Sequence, residues 1–277
     1  AKSYLCEMAE TRQVAEKLVS YLRLTGNIDS IFVDADDLFP NYVPYDRFGE
    51  FVQFVKDNFK IRAEHGLIRK VDFNKLSVDL IKDLLECCTI ESLQFELDHT
   101  RFNVKAFHLI QTLKNIPNIG LRMMDFILDR EQLLALRSLR YLTAHGNDPI
   151  DDDLLLELIK RRHRMIYIPT KLSSSDTIRR AFELISSCNQ KQVVSLTVSD
   201  ELFKEFIDLI GGMFNGDELV IENTNFTVVP YEETKLKVGE YTISYRNSVT
   251  CTVFKTNEQV QEWTMTMEKV MMKEENK

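Results

Sequence analysis

Residues 138–161, SLRYLTAHGNDPIDDDLLLELIKR, constrain the fold more than any other stretch of this chain. Leu139, Leu142 and Ala144 are apolar at positions i, i+3 and i+5, and Asn147 follows three residues later. Pro149 and three Asp then lead into an apolar helical run over 154–159. The order predicts a short strand, a tight turn and a helix that packs back on the strand. Such a unit cannot bury its apolar side alone and needs similar neighbours on both flanks.

The chain supplies them. Strand-like runs centre on Ile31, Val71, Leu93, Ile119, Leu142, Ile166, Leu196 and Leu219, at successive spacings of 40, 22, 26, 23, 24, 30 and 23. Leucine-rich repeats carry the motif L-x-x-L-x-L at a period of roughly 20–29 residues. The 40-residue step holds DLFPNYVPY, whose two prolines predict a loop insertion. Between the runs the apolar period turns helical, in VDLIKDLLECC (78–88), VKAFHLIQTLK (104–114), TIRRAFELISSC (177–188) and ELFKEFIDLI (201–210). Ser199-Asp200 caps the start of the last of these and Gly211-Gly212 stops it. Strand and helix in alternation predict an α/β fold, a leucine-rich-repeat-like solenoid with parallel strands inside and helices outside.

The ends read differently. Residues 5–24 place Val14, Leu18, Tyr21 and Leu22 on one helical face, so 1–27 are expected to form an N-terminal capping helix. VGEYTISYR and VTCTVFK alternate apolar and polar around Asn247-Ser248, an antiparallel hairpin pattern. Thr256 and Gln259 have capping-box spacing, and Val260, Trp263, Met267, Val270 and Met271 share a helical face. The expected organisation is one domain: capping helix 1–27, repeats 28–235, and a hairpin-plus-helix cap over 236–273. The tail KEENK is expected to be disordered.

Composition removes several classes of function. With 35 basic and 43 acidic residues the formal net charge is −8, which disfavours non-specific nucleic-acid binding. Nine glycines and no phosphate-loop motif argue against a nucleotide site, and the five His show no metal-ligand spacing. Neither a cofactor nor a metal is expected. His108 lies in a helical stripe and reads as structural. Five cysteines without a C-x-x-C pair point to reduced thiols and a cytoplasmic or nuclear location. Adjacent Cys87 and Cys88 would diverge by about 100° on a helix, so buried small apolar side chains are expected. No apolar run reaches the ~18 residues of a membrane span.

In a curved repeat array the strands line the concave side, and residues flanking each anchor point outward. That outward set contains Phe32, Asp72, Gln94, Arg122, Tyr141, Thr143, His145, Met165, Tyr167, Ser195 and Thr197. Arg122, Tyr141, His145, Met165 and Tyr167 are the candidate protein-binding residues, since Tyr and Arg are enriched at binding hot spots.

Rival chemistries rest on shorter motifs. IFVDADDLF, a hydrophobic strand ending in Asp-x-Asp, resembles the first motif of haloacid-dehalogenase-type phosphatases. The resemblance implies Asp34 as nucleophile and Asp36 as general acid. Gly146-Asn147-Asp148 with Asp151 and Asp152 would then hold Mg²⁺. Leu38 stands where that family carries Thr or Val, and Asp34 and Asp36 read equally as acidic turn residues. The run Lys160-Arg161-Arg162-His163-Arg164 sits where a helix ends and suits its dipole; it would also serve a small nucleic-acid-binding solenoid or an acidic partner. Asp151-Asp152-Asp153 precedes a helix and reads as capping.

The C-terminal third, SDELFKEFIDLIGGMFNGDELVIENTNF followed by VGEYTISYRNSVTCTVFK, resembles the FTH domain, a nematode domain found behind an F-box. The likeness lies in a helix, a short strand and a terminal hairpin, and extends over roughly 65–255. It implies a non-enzymatic adaptor that recruits target proteins, with components of an SCF-type ubiquitin ligase as further partners. The family's Trp-x-x-Ala segment has no counterpart, the single Trp being Trp263, and the Leu-Pro opening of an F-box is not present.

Overall fold

The computed structural model describes residues 14–271 except 37, 39–40, 99, 114, 138, 146–149, 162, 169, 217, 230–239 and 258–261. The fold is α/β, with a largely parallel core sheet flanked by helices. The chain divides into two compact units, 1–139 and 140–277.

The first unit contains β1 (Ala15–Gly26), β2 (Ser30–Asp34), β3 (Asn41–Pro44), α1 (Phe48–Asn58), β4 (Phe59–Arg69), α2 (Val78–Glu86), β5 (Cys88–Leu97), α3 (Val104–Thr112), β6 (Asn118–Met123) and α4 (Arg130–Ala135). Its strands lie in the order β3-β2-β1-β4-β5-β6. β1, β4, β5 and β6 are mutually parallel, and one column of paired residues runs Leu22, Gly66, Leu93, Ile119. Each of these strands, with Ile116 just ahead of β6, follows a frame of buried residues at i, i+3 and i+5: Val19, Leu22 and Leu24; Ala63, Gly66 and Ile68; Ile90, Leu93 and Phe95; Ile116, Ile119 and Leu121. The two residues between the first and second anchors face away from the core, as Glu64 and His65 do. Gly66 keeps its column position without a side chain because Leu93 Cδ1 would lie 2.8 Å from a Cβ there. Gly26 is required more strictly: a Cβ would lie 2.0 Å from the Lys70 carbonyl oxygen. The helices pack side by side, α1 on α2 and α2 on α3. Ser77 and Asn103 cap the starts of α2 and α3, and Asp129 with Gln132 forms a capping box on α4.

The second unit opens on β7 (Leu139–Ala144) and continues with α5 (Asp152–Lys160), β8 (Met165–Tyr167), α6 (Ser175–Ser186), β9 (Val193–Ser199), α7 (Asp200–Leu209), β10 (Gly212–Asn215), β11 (Glu218–Ile221), β12 (Phe226–Val228), β13 (Glu240–Tyr245), β14 (Val249–Asn257) and β15 (Glu262–Lys269). Its strand order is β7-β8-β9-β15-β14-β13-β12, with β10 and β11 forming a separate hairpin. β7, β8 and β9 are parallel, and Leu142, Ile166 and Val194 are register partners. The i, i+3, i+5 burial recurs in Leu139, Leu142 and Ala144 and in His163, Ile166 and Ile168. β9 buries Val194, Leu196 and Val198 on one side, and on the other Ser195 is buried as well, its hydroxyl hydrogen-bonded to that of Thr266 at 3.1 Å. α5 packs on α6 and α6 on α7. Beneath them Phe182 stacks on Phe206 at 5.8 Å between centroids, edge-on to Phe226, while Phe203 meets Trp263 at 4.6 Å.

Several expectations are corrected. Within 5–24, residues 5–13 lie outside the described residues, and from Ala15 the chain is β1, not a capping helix. The helical reading grouped Val14 and Leu18, which are exposed, and overlooked the alternation of Leu22, Leu24 and Gly26. β1 is the true parallel neighbour of β4. Ile31 lies instead on β2, antiparallel to β1, and the presumed loop insertion contributes β3 at the sheet edge, where Pro44, having no N–H to donate, is tolerated. Val71 is buried but lies past the end of β4. Leu219 belongs to the separate β10–β11 hairpin. The terminal hairpin is present as β13 and β14, turning through Arg246 and Asn247 at positive φ. The terminal helix is absent: β15 pairs with β14 and β9, burying Trp263, Met265 and Met267 on one side. A spacing of four satisfies both helix and strand; Thr264 and Thr266, β-branched and on the opposite side, tip the balance. Gln259, Val260 and the KEENK tail lie outside the described residues.

Candidate interaction face

The helices of the second unit cover the side of the sheet that carries Leu142, Ile166 and Val194. The other side of β7, β8 and β9 follows from register. Tyr141 pairs with Met165 and Met165 with Val193; Thr143 pairs with Tyr167 and Tyr167 with Ser195. Period-two alternation therefore brings four of the five candidate residues to one surface. Tyr167 is 46% exposed, Tyr141 and Met165 are half-buried, and His145, just past β7, is exposed with its ring 6.2 Å from that of Tyr167. Arg122 belongs to the first unit, on β6, where it pairs with Glu96 at 3.8 Å.

Two arginines lie just before residues of this surface; Arg164 was named from sequence only within the basic run 160–164, and Arg140 was not named. Arg140 and Arg164 precede Tyr141 and Met165, and the Arg164 amide donates to the Arg140 carbonyl at 2.7 Å. The Val193 amide in turn donates to the Arg164 carbonyl at 2.8 Å, so the three backbones run side by side. Sequence read Arg164 as part of a solvated helix end. The structure divides that run: Lys160 closes α5, Arg161 pairs with Glu157, His163 is buried, Arg164 is exposed at the strand entrance, and Arg162 lies outside the described residues. Buried Gln192 was also missed. Its side-chain amide donates to the carbonyls of Ile159 and His163 at 3.1 and 3.0 Å, satisfying the end of α5. Across β9, β15, β14 and β13, the same surface continues as a hydroxyl-rich strip of Ser195, Thr266, Thr252 and Thr242.

The other candidates are engaged elsewhere. Asp34 accepts from Tyr21 Oη at 3.3 Å and lies 4.0 Å from Arg23, while Asp36 accepts the Ser20 amide at 2.8 Å. Asp151 caps α5 through the Leu154 amide, as sequence anticipated. Asp152 accepts from the Ser173 amide and hydroxyl, the Ser174 amide and Thr177 Oγ1. Gly146, Asn147 and Asp148 lie outside the described residues. No group of three His, Cys, Asp or Glu among the described residues could hold a metal ion. Cys88 opens β5 rather than ending a helix, and burial pushes its thiol up to about 12; Cys87 donates its thiol to the Asp83 carbonyl. His108 is exposed on α3, not part of its buried stripe. No helix among the described residues is long and apolar enough to cross a membrane.

No protein-family model and no curated protein matches this chain. A solved structure described as coproporphyrinogen III oxidase from Escherichia coli, a radical SAM enzyme, aligns with 95% of this chain and 74% of its own, at 9% identity and a TM-score of 0.24. A likeness of that size carries no argument about function.

Proposed function

We propose that this protein is a non-enzymatic interaction module, built as a leucine-rich-repeat-like solenoid, that recruits a protein target on the strand face opposite its helices. The supporting observation is the recurrence of the i, i+3, i+5 burial pattern in six strands, each leaving outward residues at matching positions. In the second unit those positions hold Tyr141, Met165 and Tyr167 in adjoining rows. Such side chains supply large contact area at low conformational cost. The resemblance to the FTH domain extends the proposal to an adaptor for an SCF-type ubiquitin ligase, acting in the cytoplasm or nucleus.

Affinity capture from native extract, with mass spectrometry of what is retained, tests this reading. Tyr141→Ala/Tyr167→Ala is expected to weaken binding of the captured target at least about tenfold, given ~1–2 kcal/mol per anchor. The thermal unfolding midpoint should stay close to that of the parent, because both side chains lie outside the core. Unchanged binding by a folded double variant contradicts the surface assignment.

A further inference from the structure

We infer that Asp36 guards an open strand edge: by taking the Ser20 amide, its carboxylate keeps the first half of β1 from pairing with the same strand of a second copy of this chain. The device lies in the first unit and does not draw on the interaction face of the second.

The edge follows from register. β1 pairs with β4 from Ala15 to Thr25, but with β2 only from Arg23 to Gly26. Among the described residues, no strand is paired with the second side of 15–19. Ser20 donates its amide to Asp36 Oδ2 at 2.8 Å, on the side of β1 that β2 occupies further along. Backbone groups alternate in direction along a strand, so those of Glu16 and Leu18 face the same open side. Leu18 is 77% exposed there. An unpaired edge of this kind is a template for another chain.

Self-pairing has few ways to form. A closed pair of copies has a two-fold axis, so antiparallel β1 strands meet about one residue that faces its own copy. Centred on Glu16 or Lys17, like charges stand directly opposite, which destabilises the pair. Centred on Leu18, Ser20 would exchange backbone bonds with Glu16 of the second copy; centred on Val19, with Leu18 of the second copy. Both of these registers need the Ser20 amide. Asp36 already holds it, and presents a carboxylate oxygen where an incoming carbonyl requires a donor. Charge thus closes the first two registers and Asp36 the others. Asp36 does so from φ +49°, a left-handed backbone that a residue with a side chain adopts at a cost. Asp34 accepts from Tyr21 Oη at 3.3 Å, so both acids of the Asp-x-Asp pair hold the end of β2 against β1.

Sedimentation velocity of the full chain over a concentration series tests the inference. Asp36→Gly removes the carboxylate and suits a positive φ, so a purely conformational role leaves association unchanged. The guard predicts self-association at least about tenfold tighter than the parent's, two amides being released in each pair. Asp36→Asn keeps an oxygen acceptor and is expected to behave as the parent does. Asp36→Gly/Leu18→Pro removes an amide that both remaining registers use, at an edge position where proline is tolerated, and should return to parental behaviour. Circular dichroism melting establishes that each variant is folded; if Asp36→Gly does not fold, Asp36→Ala replaces it with the same expectation. Hydrogen exchange read by mass spectrometry adds a second measurement: in Asp36→Gly the peptide over 14–22 should gain protection as concentration rises. Association of Asp36→Gly no stronger than the parent's, equal association in Asp36→Asn, or association without added protection over 14–22 overturns the guard.

Discussion

Single residues tie neighbouring repeats together through contacts that local sequence does not announce. Asp152 is the clearest case. Its carboxylate receives Thr177 Oγ1 at 2.6 Å, the Ser173 amide at 2.8 Å and hydroxyl at 3.0 Å, and the Ser174 amide at 3.2 Å, latching the start of α5 to that of α6. Burial alone would raise its pKa, but the hydrogen bonds from Thr177 and Ser173 prevail and hold it below the ordinary carboxylate value. A depressed folded pKa means that the ionised carboxylate stabilises the fold above the unfolded pKa of about 3.9, and that this contribution is lost as pH falls through the folded value. Asp152→Ala should lower stability by about 1–3 kcal/mol at pH 7 in urea unfolding. The gap between parent and variant should narrow as pH is lowered below about 4; a gap that widens there contradicts the latch. An acidic run before a helix was legible as capping, which Asp151 performs. The reach of Asp152 across 21 to 25 residues was not, because nothing local to Ser173 or Thr177 marks a carboxylate partner. His163 and Gln192 escaped for a related reason: polar residues became core because the strand frame put them there.

At the scale of elements, repeats were readable wherever apolar spacing admitted one interpretation. Leu93 with Ile119, and Leu142 with Ile166, are register partners, as their shared place in the motif implies. Reading failed where spacing was degenerate. Trp263 and Met267, four apart, suit a helix until the β-branched residues between them are weighed, and Leu18 and Leu22 mislead in the same way. Both errors fell where strands pair with non-consecutive partners, β1 with β4 and β15 with β9, a tertiary choice that no local window contains. The register of the candidate face can be measured. Tyr141→Cys/Met165→Cys places thiols on directly paired residues of neighbouring strands, about 4.8 Å apart at Cα, within disulfide reach. Tyr141→Cys/Tyr167→Cys displaces them by one pleat, beyond about 7 Å. Under mild oxidation, peptide mapping should find the disulfide in the first variant and not in the second. The reverse result would mean that the register is shifted.

For the whole molecule, the overall balance of charge disfavours non-specific nucleic-acid binding but says nothing of where particular side chains gather. The average conceals a face whose adjoining rows hold Tyr141, Met165 and Tyr167. That face exists only once strands 20 to 30 residues apart in sequence are laid side by side. Its aromatic members were named from the motif frame; of the arginines beside them, Arg164 was named only within the basic run 160–164 and Arg140 was not named. The account depends on the side of the molecule that binds. Isothermal titration of the captured partner should be run against two variants, Tyr141→Ala/Tyr167→Ala on the strand face and Arg180→Glu on the exposed side of α6. The account predicts at least about a tenfold loss of affinity in the first and parental affinity in the second. Loss in the helix variant, with binding intact in the tyrosine variant, would contradict it.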